Sequence, residues 1–287
     1  MYNKRIIDLV RDTLVTAGST FKKDKKDAYY KAIANETNKK AKWVLQTILD
    51  NAETAEQNLS PLCDDSGIPH LVLEIGPNRA VTGNMLKSIE CGIAEGLRSL
   101  PGRPMGIMGM DSQRIDQSGG LDTDPAGVKP APILLRMSTD DVIRLHILMF
   151  GGGPAIRAKT YRIFHKHNTQ VVLDEIVKWS IEAAAQLGCT PCTLAIGIGR
   201  SHYEASSLML QALVDGQYNI QSDMETEITR RVNEADIGPL GLHGNTTVLA
   251  TFMKVGPQRA SGVRIVCVRP CCCFEPRIAS VDLSTDE

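Results

Sequence analysis

Apolar residues recur at helical spacing through the first part of the chain. Between Lys4 and Val15 they fall at Ile6, Ile7, Leu9, Val10 and Leu14. Between Glu36 and Glu56 they fall at Ala41, Val44, Leu45, Ile48, Leu49 and Ala52. A period near 3.6 gathers such residues on one stripe, so residues 1–60 read as an N-terminal helical part. Thr37 stands near the second start, with a hydroxyl suited to an N-cap. After Ser60 the pattern changes. Pro61, Ser66, Gly67 and Pro69 mark turns, and a short strand is predicted from His70 to Ile75.

A helix is predicted from Met85 to Leu100. Residues 101–132, rich in Gly, Pro, Asp and Ser, read as a long loop of the kind that often carries function. A strand from Val142 to Phe150 runs into Gly151, Gly152 and Gly153. Helices follow from Val171 to Leu187, from about Glu204 to Leu213 and, strongly charged, from Met224 to Ala235. Strands fit Thr193 to Ile198, Thr246 to Met253 and Val263 to Val268. No tandem repeat interrupts this order. The βαβ alternation is irregular, so the chain reads as one mixed α/β (α+β) domain over residues 1–287, with an antiparallel or mixed sheet.

Composition narrows the class. The 287 residues are 43% hydrophobic and 23% charged, enough apolar material for a sizeable core. The net charge of −1 gives no basic face for nucleic acid. No apolar run approaches the ~18 residues a membrane span needs. The start, MYNKRIIDLVRD, has neither a signal-peptide nor a transit-peptide pattern, so the expected compartment is the cytoplasm. There the eight cysteines are expected as thiols, serving as packing residues or as ligands.

Four segments carry candidate chemistry. Cys63-Asp64-Asp65-Ser66-Gly67 sets a thiol beside two carboxylates, whose like charges oppose ionisation unless a metal neutralises the thiolate. The same residues also make an ordinary turn. Gly188-Cys189-Thr190-Pro191-Cys192 holds a C-x-x-C pair, able to bind zinc or exchange disulfides. It follows a helix, however, rather than opening one as thiol-exchange sites do. Cys271-Cys272-Cys273 cannot direct all three side chains into one core, so one of them can reach a metal; a buried strand end is the alternative. Phe150-Gly151-Gly152-Gly153-Pro154 lets a ligand approach backbone amides, with Arg157 and Lys159 following to suit a carboxylate. A plain tight turn fits it equally.

Together these segments resemble a known family. PLCDDSG is similar to the PxCQDTG signature of class I fumarases and tartrate dehydratase alpha subunits. GGGPAIRAK resembles the family's glycine loop, and LGCTPCTLAIGIG its second cysteine segment. IGPLGLHGNTTVLA resembles IGPxGxGGxTTAL, and PCCCFEPR falls where the third cysteine segment lies. The matches run in order along nearly the whole chain.

The resemblance implies a [4Fe-4S] cluster held by Cys63, Cys189 and Cys272, the last chosen by counting back from Arg277. Three cysteines can bind three corners of the cube, leaving one iron open as a Lewis acid. The resemblance further implies Asp65 in proton transfer, and Asp64, Arg103, Gly152 and Gly153 in substrate binding; Arg157 and Lys159 join the substrate-binding candidates by their charge beside the glycine loop. The substrate would be a small hydroxy-dicarboxylate of the malate or tartrate type. Single-chain fumarases carry a further C-terminal domain that supplies substrate contacts. This chain ends at Glu287, so a separate beta subunit in an α2β2 assembly is expected.

The chain departs from the family pattern in several places. Pro257-Gln258-Arg259 lacks the histidine of the family's R-H-P stretch. Thr251-Phe252-Met253 replaces H-I-E. Cys273-Phe274 replaces W-A. His243 stands instead in GLHGNTT, and an acid–base role for it is a hypothesis. Two alternatives follow: a diverged member acting on another substrate, or a metal or thiol protein using Cys189 and Cys192 without lyase activity.

Overall fold

The computed structural model describes residues 2–100, 102–103 and 105–284. It is a mixed α/β structure with two four-stranded mixed sheets. The contacts divide the chain into two compact units. One takes the described residues of Met1–Thr20, Ala52–Gly151 and Arg277–Glu287; the other comprises Phe21–Asn51 and Gly152–Pro276. The N-terminal helices are thus shared between the units. α1 (Lys4–Ser19) lies in the first, α2 (Lys23–Asn35) in the second, and α3 (Lys39–Asn58) begins in the second and ends in the first. Among the described residues no helix is long and apolar enough to cross a membrane.

In the first unit the strand order is β2-β1-β3-β8, with β1 (Ile68–Ile75), β2 (Leu134–Met137), β3 (Ile143–Phe150) and β8 (Ile278–Asp282). β1 runs parallel to β2 and antiparallel to β3. Period-2 alternation turns Leu71, Leu73, Leu145, Ile147 and Met149 toward one buried core. α1 and α4 (Gly83–Ser99) fill that core with Val10, Leu14, Ile89, Ile93 and Leu97. Their backbones approach closely, because Gly92 faces Val10; a Cβ at Gly92 would lie 2.6 Å from the Val10 Cβ. The loop expected over 101–132 contains a short helix, α5 (Asp111–Asp116), and a 3-10 turn at Pro125–Val128.

On the other side of this sheet the polar residues pair across strands. Glu74, almost wholly buried, takes an ion pair from Arg136, and its Oε1 lies 3.2 Å from His146 Nε2. The His146 Nδ1 stands 2.7 Å from Ser280 Oγ. Burial pulls the His146 pKa down, against the opposing pull of Glu74.

The second unit has the order β4-β7-β5-β6, from β4 (Lys159–Phe164), β5 (Cys192–Gly199), β6 (Val248–Val255) and β7 (Val263–Cys271). The sequence L-A-I-G-I-G of β5 explains its two faces. Leu194, Ile196 and Ile198 pack with Val172, Ile176 and Val177 of α7 (Thr169–Leu187) and with Ile228 and Val232 of α9 (Asp223–Asn233). The small residues Ala195, Gly197 and Gly199 make the face that receives α8 (His202–Asp215). Even a Cβ at Gly197 would lie 2.0 Å from the Ala205 carbonyl oxygen.

α1, α4, α7, α8 and α9 form where the periodicity predicts them, with ends shifted by a few residues. Helix α3 is capped by Asn38 rather than Thr37: its Oδ1 accepts from Lys40 N (3.0 Å) and Ala41 N (3.4 Å). Helix α2 lies within the part read as helical but is not delimited by the periodicity, and strands β2, β4 and β8 go unpredicted. β2, β4 and β8 are all edge strands, and the exposed residues of β2 and β4 dilute the apolar signal.

Candidate functional site

The Cys63 loop belongs to the first unit and leads into β1. It is built by local bonds. Asp64 Oδ1 accepts from Asp65 N (2.9 Å), and the Asp64 carbonyl accepts from Ser66 N (3.1 Å). Gly67 adopts φ +85°, a conformation that side chains resist. A Cβ there would also stand 2.7 Å from the Phe150 carbonyl group and from Arg277 Nη2. The loop therefore rests on the ends of β3 and β8. Buried Arg277 precedes β8 and donates from Nη1 to the Asp65 carbonyl (2.6 Å), while its own carbonyl accepts from Met149 N (2.9 Å).

Cys63 is half-buried, its Sγ 3.5 Å from Asp64 Oδ1. Two expected substrate-binding residues come together here. Arg103 pairs with Asp64 at 3.4 Å, and the Arg103 N–H donates to the Asp64 carbonyl at 3.3 Å. Both side chains are more than half exposed. Asp65 is half-buried in the same loop.

The other expected site residues lie in the second unit. Gly152 and Gly153 are exposed at the start of the short helix α6 (Gly152–Arg157). Arg157 and Lys159 are engaged with α7: Arg157 Nε donates to the Gln186 carbonyl (3.0 Å), and Lys159 Nζ lies 3.8 Å from Glu182. A guanidinium at the last carbonyls of a helix is a favourable cap. His243 is exposed, at φ +62°, with Nδ1 2.9 Å from the Asp236 carbonyl and 3.2 Å from its Oδ2. The Gly244 N–H holds the Asp236 carboxyl below its ordinary range, and His243 adds to this.

The second and third cysteine segments meet within this unit. Cys273 N donates to the Cys189 carbonyl (2.8 Å), and Glu275 N closes a turn onto the Cys272 carbonyl (2.9 Å). Cys189 is exposed and Cys272 half-buried. Burial raises the Cys189 pKa, and the nearby Cys272 raises it further. A thiol whose ionisation is opposed in this way becomes a good ligand only when a cation neutralises it.

The remaining thiols of these segments are sealed. Cys192, Cys267, Cys271 and Cys273 are buried, and burial pushes the Cys192 thiol up to about 12. A packed, protonated thiol of this kind is inert. The C-x-x-C pair therefore joins one open thiol to one core residue, an arrangement unsuited to disulfide exchange. The eight cysteines form no disulfide.

The third-cysteine turn rests on residues that sequence patterns did not single out. Lys25 Nζ donates to the Glu275 carbonyl (2.8 Å) and lies 3.9 Å over the Phe21 ring. Tyr29 Oη donates to the Cys273 carbonyl (2.8 Å). Arg269 and Glu275 form a buried ion pair at 2.9 Å. The one available signal was the i, i+4 spacing of Lys25 and Tyr29, hidden inside a run of charges. A cavity of about 350 Å³ also opens in this unit, lined by His165, His167, Gln258 and Arg264 among others. None of the expected site residues lines it.

Among the described residues no three His, Cys, Asp or Glu side chains gather as they would around a single ion. A cluster asks for something else, because its thiolate ligands bind separate corners. The solvent-accessible pair Cys189 and Cys272, brought together by the Cys273 N–H to Cys189 carbonyl bond, fits that donor chemistry.

The sequence matches the family model for fumarate hydratase (fumerase) over residues 7–281. It is 24% identical to a putative L(+)-tartrate dehydratase subunit alpha from Methanocaldococcus jannaschii, over 98% of this chain and 99% of that protein. It is 21% identical to the L(+)-tartrate dehydratase subunit alpha of Escherichia coli, over 82% of this chain and 77% of that protein.

Proposed function

The chain belongs to the fumarate hydratase (fumerase) family and is a hydro-lyase, and from that premise we propose that it is the cluster-bearing alpha subunit of a [4Fe-4S] enzyme acting on a small hydroxy-dicarboxylate. Cys63, Cys189 and Cys272 are its cluster ligands. When bound, the cluster supplies an open iron that acts as a Lewis acid on a substrate hydroxyl. Asp65 belongs to the proton-transfer network. Asp64 and Arg103 meet the substrate's polar groups, and Gly152, Gly153, Arg157 and Lys159 form the carboxylate grip. His243 is an acid–base candidate, since the chain lacks the histidine of the family pattern.

One observation carries this reading. The motif cysteines Cys63, Cys189 and Cys272 retain solvent access, whereas Cys192, Cys267, Cys271 and Cys273 are buried. Cys91 is half-buried too, but it lies within α4, outside the motifs. The same burial pattern disfavours a thiol-exchange protein based on Cys189 and Cys192.

The names of the relatives, each a subunit alpha, support a separate beta-type partner. Anaerobic co-expression with such a partner, followed by assays on malate, fumarate and tartrate, tests the proposal. Turnover of one of them by the pair, and little or none by the alpha chain alone, is expected. Inactivity of a cluster-loaded pair on all three would move the substrate to a different class. A His243→Ala variant with full turnover and normal iron would remove His243 from the chemistry.

A further inference from the structure

Lys25 and Tyr29 stand one turn apart on α2, inside a segment, KDKKDAYYK, that reads as a solvated charged face. Both are nevertheless buried, Lys25 at 1% exposure and Tyr29 at none. A buried ammonium and a buried phenol are costly unless each finds a partner. Both find theirs on the backbone of the same turn. Lys25 donates to the Glu275 carbonyl and Tyr29 to the Cys273 carbonyl, each at 2.8 Å.

The other backbone group of Cys273 is also committed, because its N–H donates to the Cys189 carbonyl at 2.8 Å. The residue that follows Cys272 is therefore tied to α2 through its carbonyl and to the second cysteine segment through its N–H. Tyr29 is suited to its part, since burial holds its pKa well above the ordinary range and keeps the donor proton in place. Arg269 anchors the Glu275 carboxylate of the same turn.

We propose that Lys25 and Tyr29 are positioning residues for the Cys189–Cys272 thiol pair: α2 clamps the third-cysteine turn so that the two sulfurs keep a fixed separation. The clamp stands on this geometry alone; that the pair holds a cluster rests on the function proposed above. A rigid inorganic cube is bound well only by thiols already at its spacing, and outer-shell partners commonly govern metal retention by about 10- to 100-fold.

The test uses the full-length chain in two states. In the cluster-free state, iodoacetamide labelling of Cys272 is followed by peptide mass spectrometry, with Cys91 as internal reference. In the reconstituted state, iron loss to a chelator is timed. Tyr29→Phe removes only the hydroxyl and keeps the ring stacked on Phe21, at 5.6 Å between centroids. It is expected to label Cys272 several-fold faster than wild type, leave Cys91 unchanged, and lose iron about tenfold faster. Lys25→Met is expected to lose iron faster as well, and Lys25→Arg, which keeps a charged donor, to recover most of the retention. Should Lys25→Met fail to fold, Tyr29→Phe decides alone. Wild-type labelling and iron retention in Tyr29→Phe would overturn the clamp. If wild type itself takes up no cluster, the function proposed above fails, and the cluster-free labelling still judges the clamp.

Discussion

The loop that carries Cys63 and the turn that carries Cys272 present a thiol by different means. In the first, the geometry is written almost wholly in five neighbouring residues: Asp64 accepts from Asp65 and Ser66, and Gly67 takes the positive φ. Two donors from farther along the chain brace it, the Arg277 guanidinium at the Asp65 carbonyl and the Arg103 N–H at the Asp64 carbonyl. In the second, the turn is held from far away. Its partners on α2, Lys25 and Tyr29, are 250 and 244 residues distant from Glu275 and Cys273. A loop defined by its own sequence tolerates changes elsewhere, whereas a turn held at a distance inherits the stability of the elements that hold it.

The comparison is broken most severely by removing a proposed ligand. Cys272→Ser is expected to bring bound iron in the anaerobically reconstituted chain down to background. Cys192→Ser, which buries a hydroxyl at a cost of about 1–3 kcal/mol, is expected to keep its iron. Equal iron in the two variants would erase the distinction between open and sealed thiols.

The next effect is on stability. Arg269→Met leaves the Glu275 carboxylate buried without its counter-charge, and urea unfolding is expected to register a loss of about 3–5 kcal/mol.

Lys25 gives a pH signature. Its pKa falls from 10.5 to about 8 on folding, chiefly through burial. The unfolded chain therefore binds more protons between those values, so this group's contribution to stability rises as pH increases from about 8 to about 10.5. The rise amounts to about 3 kcal/mol at most. Unfolding curves of wild type and Lys25→Met across that window should converge or separate accordingly; a constant difference would mean that Lys25 is not held in the state described.

Arg277→Met is expected to cost about 1–3 kcal/mol, the loss of one buried charged donor to a carbonyl. At the lower end, Asp64→Asn breaks an exposed pair with Arg103 and should leave stability within about 1 kcal/mol of wild type.

The same contrast explains what could be read from the sequence. The stripe Ile6, Val10, Leu14 and the alternation in LAIGIG each report a local period, and both elements formed as expected. The Cys63 motif was legible for the same reason. Helix α2 was not, because Lys25 and Tyr29 look like surface residues until their partners beside Cys272 are known. Edge strands β2 and β4 were missed because exposed residues dilute their apolar signal, and β8 because five residues are too short to show a period. The three neighbouring cysteines are told apart by burial, a property of the folded chain and not of their spacing. Arg277 served in the sequence only as a marker for counting, while in the structure it braces the Cys63 loop.

We propose that this chain carries a [4Fe-4S] cluster through a small set of solvent-accessible thiols. Iron and acid-labile sulfide analysis of anaerobically purified wild-type protein tests it most directly. About four irons and four sulfides per chain, with a brown colour, is the result expected. One zinc per chain, or no metal after reconstitution, would contradict it.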